Sequence, residues 1–201
     1  MTRLCTMILF SLAMPLTVVA AGAMNAAPAD TSIPRIELAV SFDQDQGLLR
    51  GTAKLTLPAG GELTLLLGDL RITAALLSYP NRENLPLTIG SAGSLPLPAA
   101  AHEQRVLLSY EKQVGDTFAN SITDKAIVLS SAWHPLPDRP IIFSLAARLP
   151  PTFLAISESD RLPDPDRDGW TAFSFSQPVR SLHLAAAPYN KQERTVRDGL
   201  S

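Results

Sequence analysis

Three aspartates at alternate positions could do chemistry together. Asp164, Asp166 and Asp168, followed by Gly169, fall at positions 1, 3, 5 and 6 of a calcium-binding loop. Carboxylates at this spacing can wrap oxygen ligands around a hard cation. Position 12 is Phe175, where such loops carry a bidentate glutamate. We therefore predict Asp164, Asp166 and Asp168 as candidate calcium ligands in an incomplete loop.

The same segment has a simpler interpretation, which we prefer. No helices flank it, so Asp164 to Asp168 can be an acidic, solvated hairpin tip between two strands. Glu158 and Asp160 lie nearby in sequence and could supply the missing oxygens, which keeps the calcium hypothesis open. Paired acids are also typical of glycosidases, but alternating polar residues at a strand end are the ordinary explanation of this pair.

Nucleophilic catalysis has no support in the sequence. No Gly-x-Ser-x-Gly motif occurs, and no serine is paired with a base. His134 follows Trp133 and could line a ligand pocket, although a loop histidine beside a core tryptophan is the simpler interpretation. Trp170 after Gly169 could be a sugar platform, but a hairpin packing residue is the preferred alternative.

The N-terminal segment is typical of a secretory signal peptide. Arg3 precedes a largely apolar run over residues 4–21, which ends in Ala21-Gly22-Ala23. We expect residues 1–26 to form the signal and to be cleaved at the small residues; an uncleaved membrane anchor is the alternative. Cys5, the one cysteine of the chain, would then be lost. A cysteine-free chain suits an oxidising compartment, and the bacterial periplasm fits best.

Charge excludes one class of function. The chain carries 17 Lys and Arg against 19 Asp and Glu, and their signs alternate along the sequence. Nucleic-acid binders instead concentrate basic residues on one face. We therefore expect no nucleic-acid partner, and no membrane partner once the signal is removed.

Alternation of apolar and polar residues dominates after residue 33. Ile36, Leu38 and Val40 share one face of an extended segment, with Glu37 and Ala39 on the other. Similar segments recur between Gly, Pro, Asn and Asp residues, and no sustained helical period competes with them. The pattern predicts an all-β fold, a large antiparallel β-sandwich. Further strands are predicted at 49–57, 62–67, 71–79, 86–89, 105–110, 126–130, 141–149, 153–157, 171–176 and 180–186, and the longest loop at 81–101.

Several stretches, in this order, resemble the N-terminal domain of the aminopeptidase N family of zinc metallopeptidases. The resemblance spans roughly residues 33 to 195, and it depends on order and spacing, because no single piece is diagnostic. The stretches are Ile36 to Asp43 with Leu49-Arg-Gly51, Val106 to Tyr110, Ala132-Trp-His-Pro135, Phe143-Ser-Leu, Leu149-Pro150, Phe153-Leu-Ala155, Phe173-Ser-Phe175 with Pro178, and Ala186-Ala-Pro-Tyr189.

The resemblance implies a twisted antiparallel sandwich that packs on a thermolysin-like catalytic domain and helps wall its substrate cavity. The chain departs from the family pattern at the motifs that carry the family's chemistry. The family's zinc motif, His-Glu-x-x-His, is missing, since the three histidines His102, His134 and His183 are too far apart. The family's Gly-x-Met-Glu-Asn substrate loop is missing too. Many members have Asp-Glu-Pro where this chain has Asp138-Arg139-Pro140, which puts that local contact in doubt.

The sequence thus predicts a signal peptide at 1–26, an aminopeptidase N-like β-sandwich at 33–195, and a truncated linker toward a missing catalytic domain at 196–201. The predicted function is non-catalytic, in docking or substrate-cavity formation within an exported aminopeptidase N-like protein. The alternative is an independent periplasmic binding module that uses calcium. The chain is expected to hold no cofactor except possible calcium, while zinc belongs to the full-length relatives. A separately encoded catalytic domain is the expected partner.

Overall fold

Extended strands account for all the regular secondary structure in the described part of the chain. The computed structural model describes residues 32–79, 84–89, 93–161, 163 and 168–189. The predicted signal peptide and the predicted linker lie outside these residues, so their boundaries stay predictions. The strands are β1 (Arg35–Asp43), β2 (Leu48–Leu57), β3 (Leu63–Leu66), β4 (Arg71–Ser78), β5 (Leu85–Pro86), β6 (Ser94–Leu97), β7 (Gln104–Gln113), β8 (Asn120–Ile122), β9 (Ile127–Leu129), β10 (Leu136–Pro137), β11 (Ile141–Arg148), β12 (Leu154–Ser157), β13 (Trp170–Val179) and β14 (Leu184–Ala187).

The largest sheet has seven strands in the order β13-β11-β1-β2-β7-β4-β5. Its long strands alternate buried and accessible residues, as the sequence predicts, because one face meets the core and the other meets solvent. Ile36, Leu38 and Val40 of β1 are each at most 2% exposed. One pairing differs from the antiparallel expectation: β1 and β11 run parallel, with Arg35 opposite Ile142.

Two smaller sheets cover the inner face of the large one. The three-stranded sheet has the order β10-β3-β6, and the four-stranded sheet has the order β12-β14-β9-β8. Leu55 of the large sheet, Leu65 of the three-stranded sheet and Leu129 and Leu184 of the four-stranded sheet belong to one buried cluster. The predicted all-β class is therefore confirmed, with the core between the large sheet and the two small ones.

Three short strands and several strand ends differ from the sequence-based expectations. The strand predicted at 86–89 is Leu85–Pro86, and β7 and β13 extend three residues past their predicted ends. The segment predicted as the longest loop contains β6, in which Leu95 and Leu97 are buried on either side of Pro96. Strands β8 and β10 were not predicted either. The strand predicted from Arg180 begins only at Leu184, because the backbone of Leu182 bonds to side chains instead of a neighbouring strand.

Among the described residues, no helix is long and apolar enough to cross a membrane.

Candidate functional site

The outer face of the seven-stranded sheet is a charged, solvated surface. Lys54 Nζ lies 3.2 Å from Glu37 Oε2 across the β1–β2 pair. Arg50 reaches Asp43 at 3.7 Å and Glu111 at 3.5 Å. Such exposed ion pairs contribute little stability, but they keep this face polar and discourage association with apolar partners.

The outer face of the four-stranded sheet is different in kind. The side chains that point away from the core on β9, β12 and β14 are Val128, Leu154, Ile156, Ala185 and Ala187, and we call this set the apolar face. None of them is charged or polar. Ile156 is 66% exposed. On the fourth strand, β8, the outward residue is Ser121, which lies opposite Val128. A largely apolar outer face is expected where a further layer covers it, since a solvated face normally carries polar residues.

A shallow groove of about 470 Å³ crosses the apolar face. Ala185 pairs with Ile156 on one side and with Val128 on the other, so the three side chains form one row across β12, β14 and β9. The small methyl group of Ala185 between two larger β-branched residues makes the floor of the groove. This groove could accept an apolar side chain from another polypeptide.

A carboxylate–imidazole pair stands at the rim of the groove. Glu158 Oε1 lies 2.7 Å from Nδ1 of His183, and Glu158 Oε2 accepts a hydrogen bond of 2.8 Å from the backbone N–H of His183. Partial burial raises the pKa of Glu158, but the bonds from His183 outweigh it and hold that pKa below its ordinary value. The pair therefore carries a fixed carboxylate beside an imidazole whose side chain is 57% exposed.

Ser157 completes a group of serine, glutamate and histidine, but its geometry does not support nucleophilic catalysis. The Ser157 hydroxyl donates to the backbone carbonyl of His183 at 2.6 Å, not to the imidazole. A serine nucleophile needs a ring nitrogen to take its proton. The sequence did not indicate this grouping, because 25 residues separate Glu158 from His183 and no local motif links them.

His134 and Trp133 are core residues, in agreement with the simpler interpretation of the sequence. Trp133 is 0% exposed and His134 is 1% exposed. Both ring nitrogens of His134 are engaged, Nδ1 with the Pro135 carbonyl at 2.8 Å and Nε2 with the Leu182 N–H at 3.1 Å. Trp133 Nε1 donates to the carbonyl of the same Leu182 at 2.9 Å. His134 thus has no nitrogen left for a ligand, and burial lowers its pKa to about 4.

The predicted calcium site is only partly within the described residues. Asp164 and Asp166 lie outside them, while Asp168 begins the turn into β13, with Gly169 at a φ of 79°. Within the described ranges, no three His, Cys, Asp or Glu side chains are grouped to hold a metal. Glu158 binds His183, and Asp160 Oδ2 accepts the Ser176 N–H at 2.9 Å. Glu158 and Asp160 therefore each have a structural contact within the fold. The assignment of Asp164, Asp166 and Asp168 as calcium ligands stays a prediction.

A second open cleft, of about 650 Å³, lies at the three-stranded sheet. Asp138 at its edge exchanges hydrogen bonds with Thr64, donating from its N–H at 3.0 Å and accepting at Oδ2 at 3.2 Å. The Asp138 carbonyl also accepts from Arg180. Asp138 therefore continues the β10–β3 pairing, whereas Arg139 is exposed and lines the cleft.

The fold is similar to part of solved zinc metallopeptidases. The M1 zinc metallopeptidase from Deinococcus radiodurans is 17% identical, with a TM-score of 0.57, over 78% of this chain and 42% of that one. A mutant of that enzyme bound to a Tyr-Ser-Ala substrate gives 16% identity and a TM-score of 0.55 over the same shares. A two-domain M1 zinc metallopeptidase mutant bound to L-tryptophan is 17% identical, with a TM-score of 0.56, over the same shares of the two chains.

At these identities the likeness concerns the fold, and the resemblance predicted from the sequence is confirmed at that level. The chain spans less than half of the length of each of these structures, which agrees with a match to one domain. No protein-family model and no curated protein matches the sequence.

Proposed function

We propose that this chain is a non-catalytic, N-terminal-type domain of an exported aminopeptidase N-like zinc metallopeptidase, fused to or encoded apart from its catalytic part. Its task is to dock on the polypeptide that carries the zinc site and to help wall the substrate cavity. Two features support the proposal. The fold matches 42% of a metallopeptidase chain, and the three histidines of the sequence cannot form a His-Glu-x-x-His motif.

The observation that carries the docking proposal is the contrast between the two outer surfaces. The large sheet exposes ion pairs, whereas the apolar face exposes only hydrocarbon, with Ile156 at its edge. Contiguous exposed apolar surface on a soluble domain marks an interaction site. Burying Ile156 against a partner would contribute about 25 cal/mol for each square ångström removed from water.

The surroundings of the apolar face have the anatomy of an interface. Protein interfaces combine an apolar centre with a polar rim. Here Val128, Ala185 and Ile156 form the centre, and Glu158 with His183 stands at the rim. A partner would bury the row of three and leave the carboxylate and imidazole at the solvated margin, where they can select a complementary charge.

The test uses two exposed apolar residues on opposite surfaces. Ile156 lies on the apolar face and is 66% exposed, while Leu107 lies on the charged outer face and is 41% exposed. The partner is the product of any reading frame beyond the Ser201 codon that encodes His-Glu-x-x-His, expressed together with this chain. We expect Ile156→Lys to weaken the measured affinity by at least about tenfold, because it buries an unpaired charge, and Leu107→Lys to leave it within about threefold.

Equal affinities of the Ile156→Lys and Leu107→Lys proteins for the partner would contradict docking through the apolar face. Absence of any such reading frame would favour a module in its own right.

The non-catalytic part of the proposal has its own assay. The sequence lacks the His-Glu-x-x-His motif that would hold a metal-bound water for attack on a peptide carbonyl. We expect no turnover of chromogenic amino-acid amides by the purified chain with added zinc. Hydrolysis that copurifies with the protein and disappears with a chelator would refute it.

A further inference from the structure

Edge strands expose unpaired backbone groups that can pair with another chain, and folded proteins usually block them. Four of the edge strands contain a proline, which lacks the N–H that an added strand would need. These are β5 with Pro86, β6 with Pro96, β10 with Pro137 and β13 with Pro178. Each of these edges is therefore a poor template for a further strand.

Two edges, that of β13 and that of β8, are covered by the chain itself. Along β13, the Asp160 N–H donates to the Ser174 carbonyl at 2.9 Å, and Asp160 Oδ2 accepts from the Ser176 N–H at 2.9 Å. At β8, the Asn120 carbonyl accepts from the Thr117 N–H at 3.0 Å. These contacts use backbone groups that would otherwise face solvent at an edge.

Within the described residues, the edge strand β12 has none of these devices. It ends the four-stranded sheet and, among the described strands, pairs with β14 alone. Its sequence, Leu154-Ala-Ile-Ser157, contains no proline and no charge. Ile156, the most exposed residue of the strand, is apolar. The unpaired backbone N–H and C=O groups of such an edge can form hydrogen bonds with a strand from another chain.

An open cleft lies beside β12. A cleft of about 270 Å³ is lined by Ala155, Ile156 and Ser157 on one side and by residues 159–161 and Pro163 on the other. It contacts consecutive residues of β12, whose side chains point to opposite faces, and no residue of β14. The cleft therefore runs along the free edge and not over either face of the sheet.

We propose that the free edge of β12 binds an extended segment of the partner polypeptide, which joins the four-stranded sheet as an additional strand. This inference rests on the proposed docking function and names how the contact is made. Main-chain hydrogen bonds supply the attachment, as in other cases of strand addition. Alternate side chains of the segment extend the outer rows of Leu154 and Ile156 and are apolar. The side chains between them face Ala155 and Ser157 and are small.

A synthetic peptide tests this without the partner. The probe is a capped peptide that alternates Val and Ser, and binding is followed by hydrogen exchange of the β12 amides and by calorimetry. Two further peptides carry N-methyl groups on one or the other alternate set of amides. A strand offers only one of these sets to a given edge, so one methylated peptide should lose about tenfold in affinity while the other binds within about threefold.

Two protein variants complete the design. Ile156→Lys should abolish peptide binding, whereas Leu107→Lys should not, and circular dichroism with thermal melting verifies that both fold. Binding of all three peptides with equal affinity, or no slowing of exchange at residues 154–157, would overturn strand addition. Self-association of the chain that the peptide displaces would instead assign the edge to a second copy, and it would also overturn the proposal.

The outcomes separate the two proposals. If Ile156→Lys weakens the docked partner but the methylated peptides behave alike, the apolar face docks without strand addition. If the partner binds Ile156→Lys and Leu107→Lys equally, the docking proposal itself fails.

Discussion

The ring of Tyr110 lies over Gly51 on the neighbouring strand, in the space that any other side chain would occupy. The two residues are opposite each other in the β2–β7 pairing. A Cβ built on Gly51 would stand 2.3 Å from Cζ of Tyr110 and 2.6 Å from its hydroxyl oxygen. Tyr110 is 1% exposed, so the ring cannot swing into solvent. Glycine is required here for the close approach of a neighbouring ring.

We expect Gly51→Ala to destabilise the protein by about 3 kcal/mol, since a methyl group forced into a filled core displaces its neighbours. Urea denaturation measures the change. Thr52→Val on the solvated face is the control and should stay within about 0.5 kcal/mol. Combining Gly51→Ala with Tyr110→Leu should cost less than the sum of the single changes; simple additivity would show that the two residues do not touch.

The hydroxyl of Tyr110 offers a second measurement. It is buried without a hydrogen-bond partner among the described residues, and burial raises its pKa far above the ordinary value. Tyr110→Phe removes a desolvated polar group and keeps the ring. We expect unfolding free energy to stay equal or to rise by up to about 1 kcal/mol. A loss of that size or more would mean that the hydroxyl is bonded in solution.

His134 should make stability depend on pH. Burial lowers its pKa from 6.5 to about 4. Between these two pH values, His134 is therefore largely protonated in the unfolded chain and largely neutral in the folded chain. Stability is fully present above pH 6.5 and declines toward pH 4, by up to about 3 kcal/mol. The measurement is urea denaturation across this range for the parent and for His134→Gln, whose amide keeps one donor and one acceptor.

The difference between the parent and His134→Gln should shrink as the pH falls, because only the parent must exclude the proton. His102→Gln, at an exposed position, controls for loss of a histidine and should follow the parent. A parallel pH dependence of the parent and His134→Gln would place the proton uptake elsewhere.

Calcium should have little effect on stability. The preferred interpretation of Asp164, Asp166 and Asp168 is a solvated turn, and Glu158 and Asp160 already have partners. Even a real site without its bidentate ligand would bind no tighter than about 0.1 to 1 mM. We expect no rise in melting temperature with millimolar calcium. A rise that magnesium does not reproduce and that Asp166→Ala removes would support a calcium-dependent module.

The long strands could be predicted from the sequence because each has one buried face. In β2, β7 and β11 the alternation extends over eight residues or more, and burial follows it; in β1 burial follows it as far as Val40. Short strands give no such pattern: β8 has three residues and β10 has two. Strand β6 was missed because Pro96 indicates a loop in a sequence pattern. Proline is nevertheless tolerated in an edge strand.

The candidate site could not be predicted from the sequence, because it depends on which strands become neighbours. The apolar face is built from single residues of three short strands, and its character depends on the cross-strand row of Val128, Ala185 and Ile156. Alternation identifies two faces of a strand but does not tell which strands will be neighbours. The Glu158–His183 pair has the same origin, because tertiary pairing of β12 with β14 brings it together.

The parallel pairing of β1 with β11 has a consequence for synthesis and folding. Residue 35 pairs with residue 142, and β1 lies in the middle of the large sheet with β2 on its other side. A nascent chain can form the local β1–β2 hairpin early, but that hairpin keeps one open edge until the second half of the chain has been made. Contacts of such long sequence separation slow folding to milliseconds or seconds. A chaperone that keeps the first half unfolded until β11 is available would therefore raise the yield of native protein, and a fragment ending before Ile141 should aggregate.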